Sequence, residues 1–202
     1  MPDAQVFFMV TLRKYYNNIG AASLQAPDVP SVSLDNFDVG YKGGLYLAEK
    51  GLDQIAMLIG EKKYLSTQNR VKGFMAAMEE KQTENYIFTG IDTLEKAYHK
   101  AKEILEIYDI KAFFVSGDER ALGVYRAIYE KGLSIPKDIA VLGIDNIALG
   151  EYYYPPISTI EQDFEILAKG CIDYVINRIG REEETEHKAF RFPCKLIERG
   201  ST

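Results

Sequence analysis

Lys137-Asp-Ile-Ala-Val-Leu-Gly-Ile-Asp-Asn146 is the stretch on which the fold turns. Its apolar run, Ile139 to Leu142, predicts a buried strand, and Gly143 is read as permitting a tight turn rather than cradling a phosphate. Asp145 and Asn146 then follow at the strand's end. In open α/β sheets the crevice beyond the carboxyl ends of the strands is where ligands sit. A carboxylate there accepts hydrogen bonds from hydroxyls in two directions, which suits a sugar or a nucleoside. The same residue also suits a turn or the cap of the next helix, so this segment alone leaves both roles open.

Upstream of this strand, short apolar runs alternate with amphipathic segments. Strands are expected over Val32 to Leu34, Gln54 to Ile59, Tyr86 to Thr89 and Lys111 to Val115. Helices are expected over Tyr41 to Lys50, Gln68 to Lys81, Leu94 to Glu106 and Arg120 to Lys131, the last ended by Gly132. In the second of these, Val71, Phe74, Met75 and Met78 recur at helical spacing. Repeated βα units imply an α/β fold, a doubly wound parallel sheet with helices on both faces. Downstream the pattern changes. Tyr152-Tyr-Tyr-Pro-Pro156 is a stiff aromatic loop, Ile157 to Ile160 is extended, and Phe164 to Ile179 is an amphipathic helix ending at Gly180. Phe190 to Arg199 reads as terminal strands, with Pro193 favouring an edge. Val6 to Val10 has the look of a strand, but Leu12 to Gln25 has no clean period.

The 202 residues are 47% hydrophobic and 27% charged, which is ordinary for a soluble globular chain. No apolar run approaches the roughly 18 residues of a membrane span. Only Cys171 and Cys194 are present, which fits a reducing cytoplasm, and two distant histidines make a metal site improbable. A net charge of −6 with no basic cluster excludes a chain that grips a phosphate backbone by itself. Glu182 to Glu184 reads as a solvated turn. No nucleophile–base pair, phosphate loop or complete dinucleotide fingerprint supports catalysis or a cofactor.

Eight short motifs, in order, carry a resemblance. They are Pro30-Ser-Val-Ser-Leu-Asp-Asn36, Leu47-Ala-Glu-Lys-Gly51, Gln54-Ile-Ala-Met-Leu-Ile-Gly60 and Asn69-Arg-Val-Lys-Gly-Phe74. Phe114-Val-Ser-Gly-Asp118, the run from Lys131 to Asn146, Pro155-Pro-Ile-Ser-Thr-Ile160 and Leu196-Ile-Glu-Arg199 complete the set. Over residues 29–199 the chain resembles the effector-binding region of LacI/GalR-type bacterial transcription regulators, a periplasmic-binding-protein-like fold of type I. The resemblance implies a chain truncated at its N-terminus, without the DNA-binding headpiece and hinge helix. It implies a C-terminal effector-binding subdomain over 37–157, a remnant of the N-terminal subdomain over 1–36, a crossover and helix of that subdomain over 158–185, and terminal strands over 186–202.

It also implies binding residues. Arg70, on the first turn of a helix, matches the family's crevice arginine, whose fork bridges two acceptors such as neighbouring sugar hydroxyls. The plain alternative is a surface arginine paired with an acid such as Glu80. Asp145 matches the family's strand-end aspartate, and Asn146 is read as a turn residue. Tyr64 and Ser66 lie where relatives carry ligand-contacting side chains, and Tyr64 suits either stacking on a sugar or covering the crevice rim. Asp92 stands where many relatives carry an aromatic, and with Glu95 three residues on it also reads as a capping box, the preferred reading. Asp118 suits both a helix cap and an effector contact.

The function expected is therefore effector sensing, with a sugar as the effector, and homodimerisation as part of a transcription regulator. Subdomain faces such as Tyr41 to Lys50 and Arg120 to Lys131 are candidate dimer contacts. Operator DNA would be met only through a headpiece, by a shift in subdomain orientation on binding. No membrane partner, cofactor or metal is expected. With half the crevice expected to be missing, affinity should be weak. A stand-alone sugar-binding protein of the same fold is the alternative.

Overall fold

The computed structural model describes residues 21–22, 31–176 and 189–202. The expected strand over 6–10, most of the stretch 12–25, the turn 182–184 and the helix end at 180 lie outside them. Along the chain run β1 (Ala21–Ala22), β2 (Ser31–Leu34), α1 (Asn36–Glu49), β3 (Ile55–Leu58) and α2 (Leu65–Lys81). Next come β4 (Asn85–Phe88), α3 (Leu94–Ile107), β5 (Ala112–Val115), α4 (Asp118–Glu130) and β6 (Ala140–Asp145). A 3-10 helix (Ala148–Tyr152), β7 (Ser158–Glu161), α5 (Phe164–Ile176), β8 (Ala189–Phe192) and β9 (Lys195–Ile197) follow.

These elements sort into two units: Asn36–Gln162 with Cys194–Thr202, and the described parts of Met1–Asp35 and Asp163–Pro193. In the smaller unit β1, β2 and β8 form a parallel sheet of three, on which α5 packs. The larger unit holds six strands in the order β4-β3-β5-β6-β7-β9, parallel except for β9, which runs antiparallel to β7. The terminal strands are thus divided, β8 in one unit and β9 in the other, with Pro193 between them and both strands at sheet edges.

Burial follows from position in the six-stranded sheet. Every residue of β3 and β5 is buried, as expected of strands covered on both faces, whereas the edge strand β4 is half-buried throughout. On one face Ala56, Leu58, Phe113, Val115 and Val141 pack against Ala97, Ala101 and Ile104 of α3 and Val124 and Ile128 of α4. The other face is covered by α1 and α2, which approach unusually closely. A Cβ on Gly40 would lie 1.9 Å from the Arg70 carbonyl oxygen, and one on Gly73 would lie 2.0 Å from that of Phe37. Glycine at both positions is what lets the two backbones touch.

Four sequence expectations need correction. First, α1 begins at Asn36 rather than Tyr41, because its buried face includes Asn36, Gly40, Gly43 and Gly44, which apolar periodicity does not register. Second, α2 begins at Leu65 rather than Gln68, and Met75 points outward, 53% exposed, while Ala77 fills the inner face. Third, α4 begins at Asp118 rather than Arg120. Gly143 does not form a turn either: it lies inside β6, which continues to Asp145.

Candidate functional site

The parallel strands β3, β5 and β6 end side by side, and the residues after them build one polar surface. Ser116 follows β5 and donates its N–H to the Leu58 carbonyl at the end of β3, at 2.8 Å. Arg70 reaches this surface from the second turn of α2, since that helix starts earlier than its periodicity suggests. Its Nε donates to Asn36 Oδ1 at 2.8 Å and its Nη1 to Ser116 Oγ at 2.9 Å. The guanidinium is therefore aimed by two buried side chains on two different elements, and it does not pair with Glu80, which accepts from the Tyr41 hydroxyl. Burial lowers its pKa from the ordinary value, while the nearby Asp145 carboxylate opposes that shift.

Asp145 ends β6 half-buried, with φ at +120°, a conformation that L-residues rarely adopt. Burial raises its carboxyl pKa, against the pull of Arg70 and a hydrogen bond from the Gln162 amide. Asn146 also has a positive φ, +52°, and is tied down on three sides. Its N–H donates to Thr159 Oγ1 (3.3 Å), its Nδ2 to Glu161 Oε1 (2.8 Å), and its Oδ1 accepts from Arg199 Nη2 (2.8 Å). Asn146 holds the turn, as expected of it, and leaves Asp145 as the residue facing Arg70's charge.

Asp118 lies elsewhere. It is 0% exposed, and its carboxylate accepts from the Thr159 hydroxyl at 2.8 Å and the Ile147 N–H at 3.1 Å. A Cβ on Gly143 would stand 1.9 Å from Asp118 Oδ1, so that glycine exists to make room for the carboxylate. Desolvation pushes the Asp118 pKa up to about 6 despite these donors. So placed, Asp118 fastens the start of α4 to β7 and to the turn after β6, and offers no surface to a ligand.

Asp92 is not a cap. Thr93 caps α3, its Oγ1 accepting the Lys96 N–H at 3.1 Å, and Asp92 pairs with the Lys96 ammonium at 2.7 Å. That bond holds the Asp92 carboxyl below its usual range. Tyr64 is the residue before α2, half-exposed, with the Lys63 ammonium 5.2 Å from its ring centre, and Ser66 is half-exposed in the first turn of that helix. The structure brings Arg70 and Asp145 into one electrostatic site. Asn36 and Ser116, which aim Arg70, were not singled out from sequence, although both lie within the motifs quoted above.

Among the described residues no group of three or more histidine, cysteine or acidic side chains is arranged to hold a metal, and no helix is long and apolar enough to cross a membrane.

Known proteins resemble this chain in sequence and fold. A family model for the periplasmic binding protein-like domain covers residues 45–202. The HTH-type transcriptional repressor PurR of Escherichia fergusonii is 35% identical over 179 residues, 86% of this chain and 52% of that protein. PurR of Vibrio atlanticus is 32% identical over 187 residues, covering 90% and 54% of the two chains. The chain thus spans about half the length of the curated relatives it matches. A LacI family regulator from Enterococcus faecium, solved with bound ribose, has a TM-score of 0.85 at 28% identity, over 95% of this chain and 72% of that one. A periplasmic binding protein/LacI regulator from Alkaliphilus metalliredigens, complexed with D-xylulofuranose, has a TM-score of 0.80 at 30% identity, over 92% and 70%. This chain belongs to the periplasmic binding protein-like domain family, in the form found in LacI-type transcription regulators.

Proposed function

We propose that this chain senses a small hydroxylated effector, a sugar, on the carboxyl ends of β3, β5 and β6, as part of a transcription regulator. The larger unit serves as the C-terminal effector-binding subdomain, and the smaller unit supplies part of the N-terminal one. The observation that carries this reading is the placement of Arg70 and Asp145 close enough for each charge to act on the other. A guanidinium fixed by Asn36 and Ser116 and a strand-end carboxylate held in a strained backbone offer, side by side, donors and an acceptor for adjacent hydroxyls. Relatives solved with ribose and with D-xylulofuranose support a sugar as the ligand class. Tyr64 and Ser66 line the approach from the start of α2. In the intact regulator, binding at this surface alters operator affinity through a DNA-binding segment.

The protein also pairs with a second copy of itself. Leu122, Tyr129, Leu149, Tyr152 and Tyr154 line an apolar groove of about 850 Å³ on the larger unit. Tyr152 and Tyr154 are 83% and 89% exposed, an apolar surface of the kind that marks an interface. Sedimentation analysis should show a dimer that Leu122→Glu converts to monomer, and a monomeric parent chain removes this part of the reading.

NMR titration with ribose and a panel of mono- and disaccharides to millimolar concentrations tests the site, since it detects weak binding. Binding by the parent chain that is lost in Arg70→Ala and in Asp145→Ala is the expected result. Binding unchanged in both variants sinks the site assignment.

A further inference from the structure

Arg120 has no role in the site as described so far, yet its guanidinium converges on the same residue as that of Arg70. Arg70 Nη1 donates to the Ser116 hydroxyl at 2.9 Å, and Arg120 Nη1 donates to the Ser116 carbonyl oxygen. Arg120 Nη1 also lies 3.4 Å from the Ile91 carbonyl oxygen, so the group bridges the loops that follow β4 and β5. Gly117 makes this placement possible. It has φ of +130°, and a Cβ there would fall 3.1 Å from both Cζ and Nε of Arg120. A glycine that allows one unusual backbone conformation also clears the space that the guanidinium occupies.

The two guanidiniums share one nearby carboxylate, Asp145, whose pKa both lower, Arg70 the more strongly, so two cations face a single anion. Both guanidiniums are half-buried, and neither is within ion-pair distance of a carboxylate among the described residues. The carboxylate whose charge Arg70 feels most strongly is Asp145. Arg120's hydrogen bonds go only to neutral main-chain carbonyls. Asp92, the acid nearest to Arg120 on the neighbouring loop, is taken up by Lys96 at 2.7 Å, and Lys96 also feels Glu61. Arg70 and Arg120 repel each other, and the desolvation cost of two clustered cations is normally offset by an anion. Arginine forks suit carboxylate and phosphate oxygens above all other partners.

We infer that the effector of this site carries a negatively charged group, a phosphate or a carboxylate, held by Arg120 together with Arg70, while its hydroxyls meet Asp145. The inference rests on the proposed sugar site and narrows its ligand class to sugar phosphates or sugar acids. Arg120 is the residue that sets the specificity, because the one nearby carboxylate, Asp145, feels Arg70 more strongly than Arg120.

The test is a comparison of affinities in the full chain, by calorimetry and NMR titration, for ribose, ribose 5-phosphate, ribonate and inorganic phosphate. At least one of the two anionic sugars should bind about tenfold or more tighter than ribose, as a charge-assisted contact implies. The phosphate and carboxylate arms distinguish the two anions, and inorganic phosphate should bind more weakly than the preferred sugar. Arg120→Gln should bring the ratio between the anionic sugar and ribose close to one. Gly117→Ser, which crowds Arg120 without removing its charge, should lower the same ratio. Thermal melting of each variant confirms that it is folded. Ribose binding as tightly as both anionic sugars, or a ratio untouched by Arg120→Gln, overturns the inference and leaves the sugar site standing. No binding by any probe overturns both.

Discussion

Replacing Asp118 by asparagine should remove a loss of stability that the parent protein suffers as pH rises. Asp118 is fully buried between α4, β7 and the turn after β6, and its pKa is raised from 3.8 to about 6 by desolvation. Its proton is held more tightly in the folded state than in the unfolded one. The protonated carboxyl therefore contributes stability that is full below pH 3.8 and is lost as pH rises through about 6. The rise from 3.8 to about 6 corresponds to about 3 kcal/mol. Asparagine has the same shape and no charge: its carbonyl oxygen can accept the Ile147 N–H, and its amide can donate to Thr159 Oγ1, which the carboxylate now accepts from. The chain has no tryptophan, so urea unfolding followed by far-UV circular dichroism at a series of pH values is the assay. Subtracting the variant's unfolding free energy from the parent's cancels the titration of every group unaffected by the substitution. The difference should fall by about 3 kcal/mol in total as pH rises from about 3 to 7, most steeply between the two pKa values, and stay flat above that. A difference independent of pH, or one that rises with pH, would refute the argument. It would mean that Thr159 and the Ile147 N–H stabilise the anion by more than burial penalises it.

Two further substitutions test the same framework. Gly143→Ala places a methyl 1.9 Å from Asp118 Oδ1 and should destabilise the fold by about 2–3 kcal/mol by breaking buried hydrogen bonds, measured by the urea midpoint. A loss below about 0.5 kcal/mol, the size of an ordinary surface change, would show that the pocket yields. Thr93→Ala removes the cap of α3 and should cost about 1 kcal/mol, whereas Asp92→Ala, which removes only an exposed ion pair, should cost much less.

The alternation of strands and helices in the larger unit was legible because buried parallel strands and amphipathic helices leave different periods in the sequence. What the period missed was structure built from small residues. The start of α1 hid because Asn36, Gly40, Gly43 and Gly44 bury a helix face without apolar side chains. At α3, Asp92 and Glu95 matched a capping box, but the extended backbone falls at Thr93, one residue later, and the box does not form. In the candidate site, Arg70 and Asp145 were visible through the order of motifs around them. Their supports were not, because the partners of a serine or an asparagine are set by tertiary contacts. Asp118 read as a helix cap or an effector contact for the same reason: an acid in a helix's first turn reads alike whether it faces water or the core. Gly143, which leaves the space, was the one local hint, and a glycine at a strand's end suggests a turn before it suggests a cavity.

The division of labour between Asp145 and Asn146 makes the turn after β6 the part of the site most open to a decisive test. Two consecutive residues with positive φ cost strain that persists only where the surroundings hold it. Here the holding falls to Asn146, through Glu161 Oε1, Arg199 Nη2 and Thr159 Oγ1. Arg199 is itself anchored, donating to the Ile157 carbonyl at 3.0 Å. Asn146→Gly keeps the backbone's freedom to adopt φ near +52° but removes the side-chain ties; Asn146→Ala removes both. If the side chain is what fixes Asp145, both variants should lose ligand affinity to a similar extent, and alanine should lose about 1 kcal/mol more stability than glycine. If the backbone conformation alone suffices, glycine should bind like the parent and only alanine should fail. The second outcome would make Asp145's placement a property of the turn itself and leave Asn146 and Arg199 without a part in recognition.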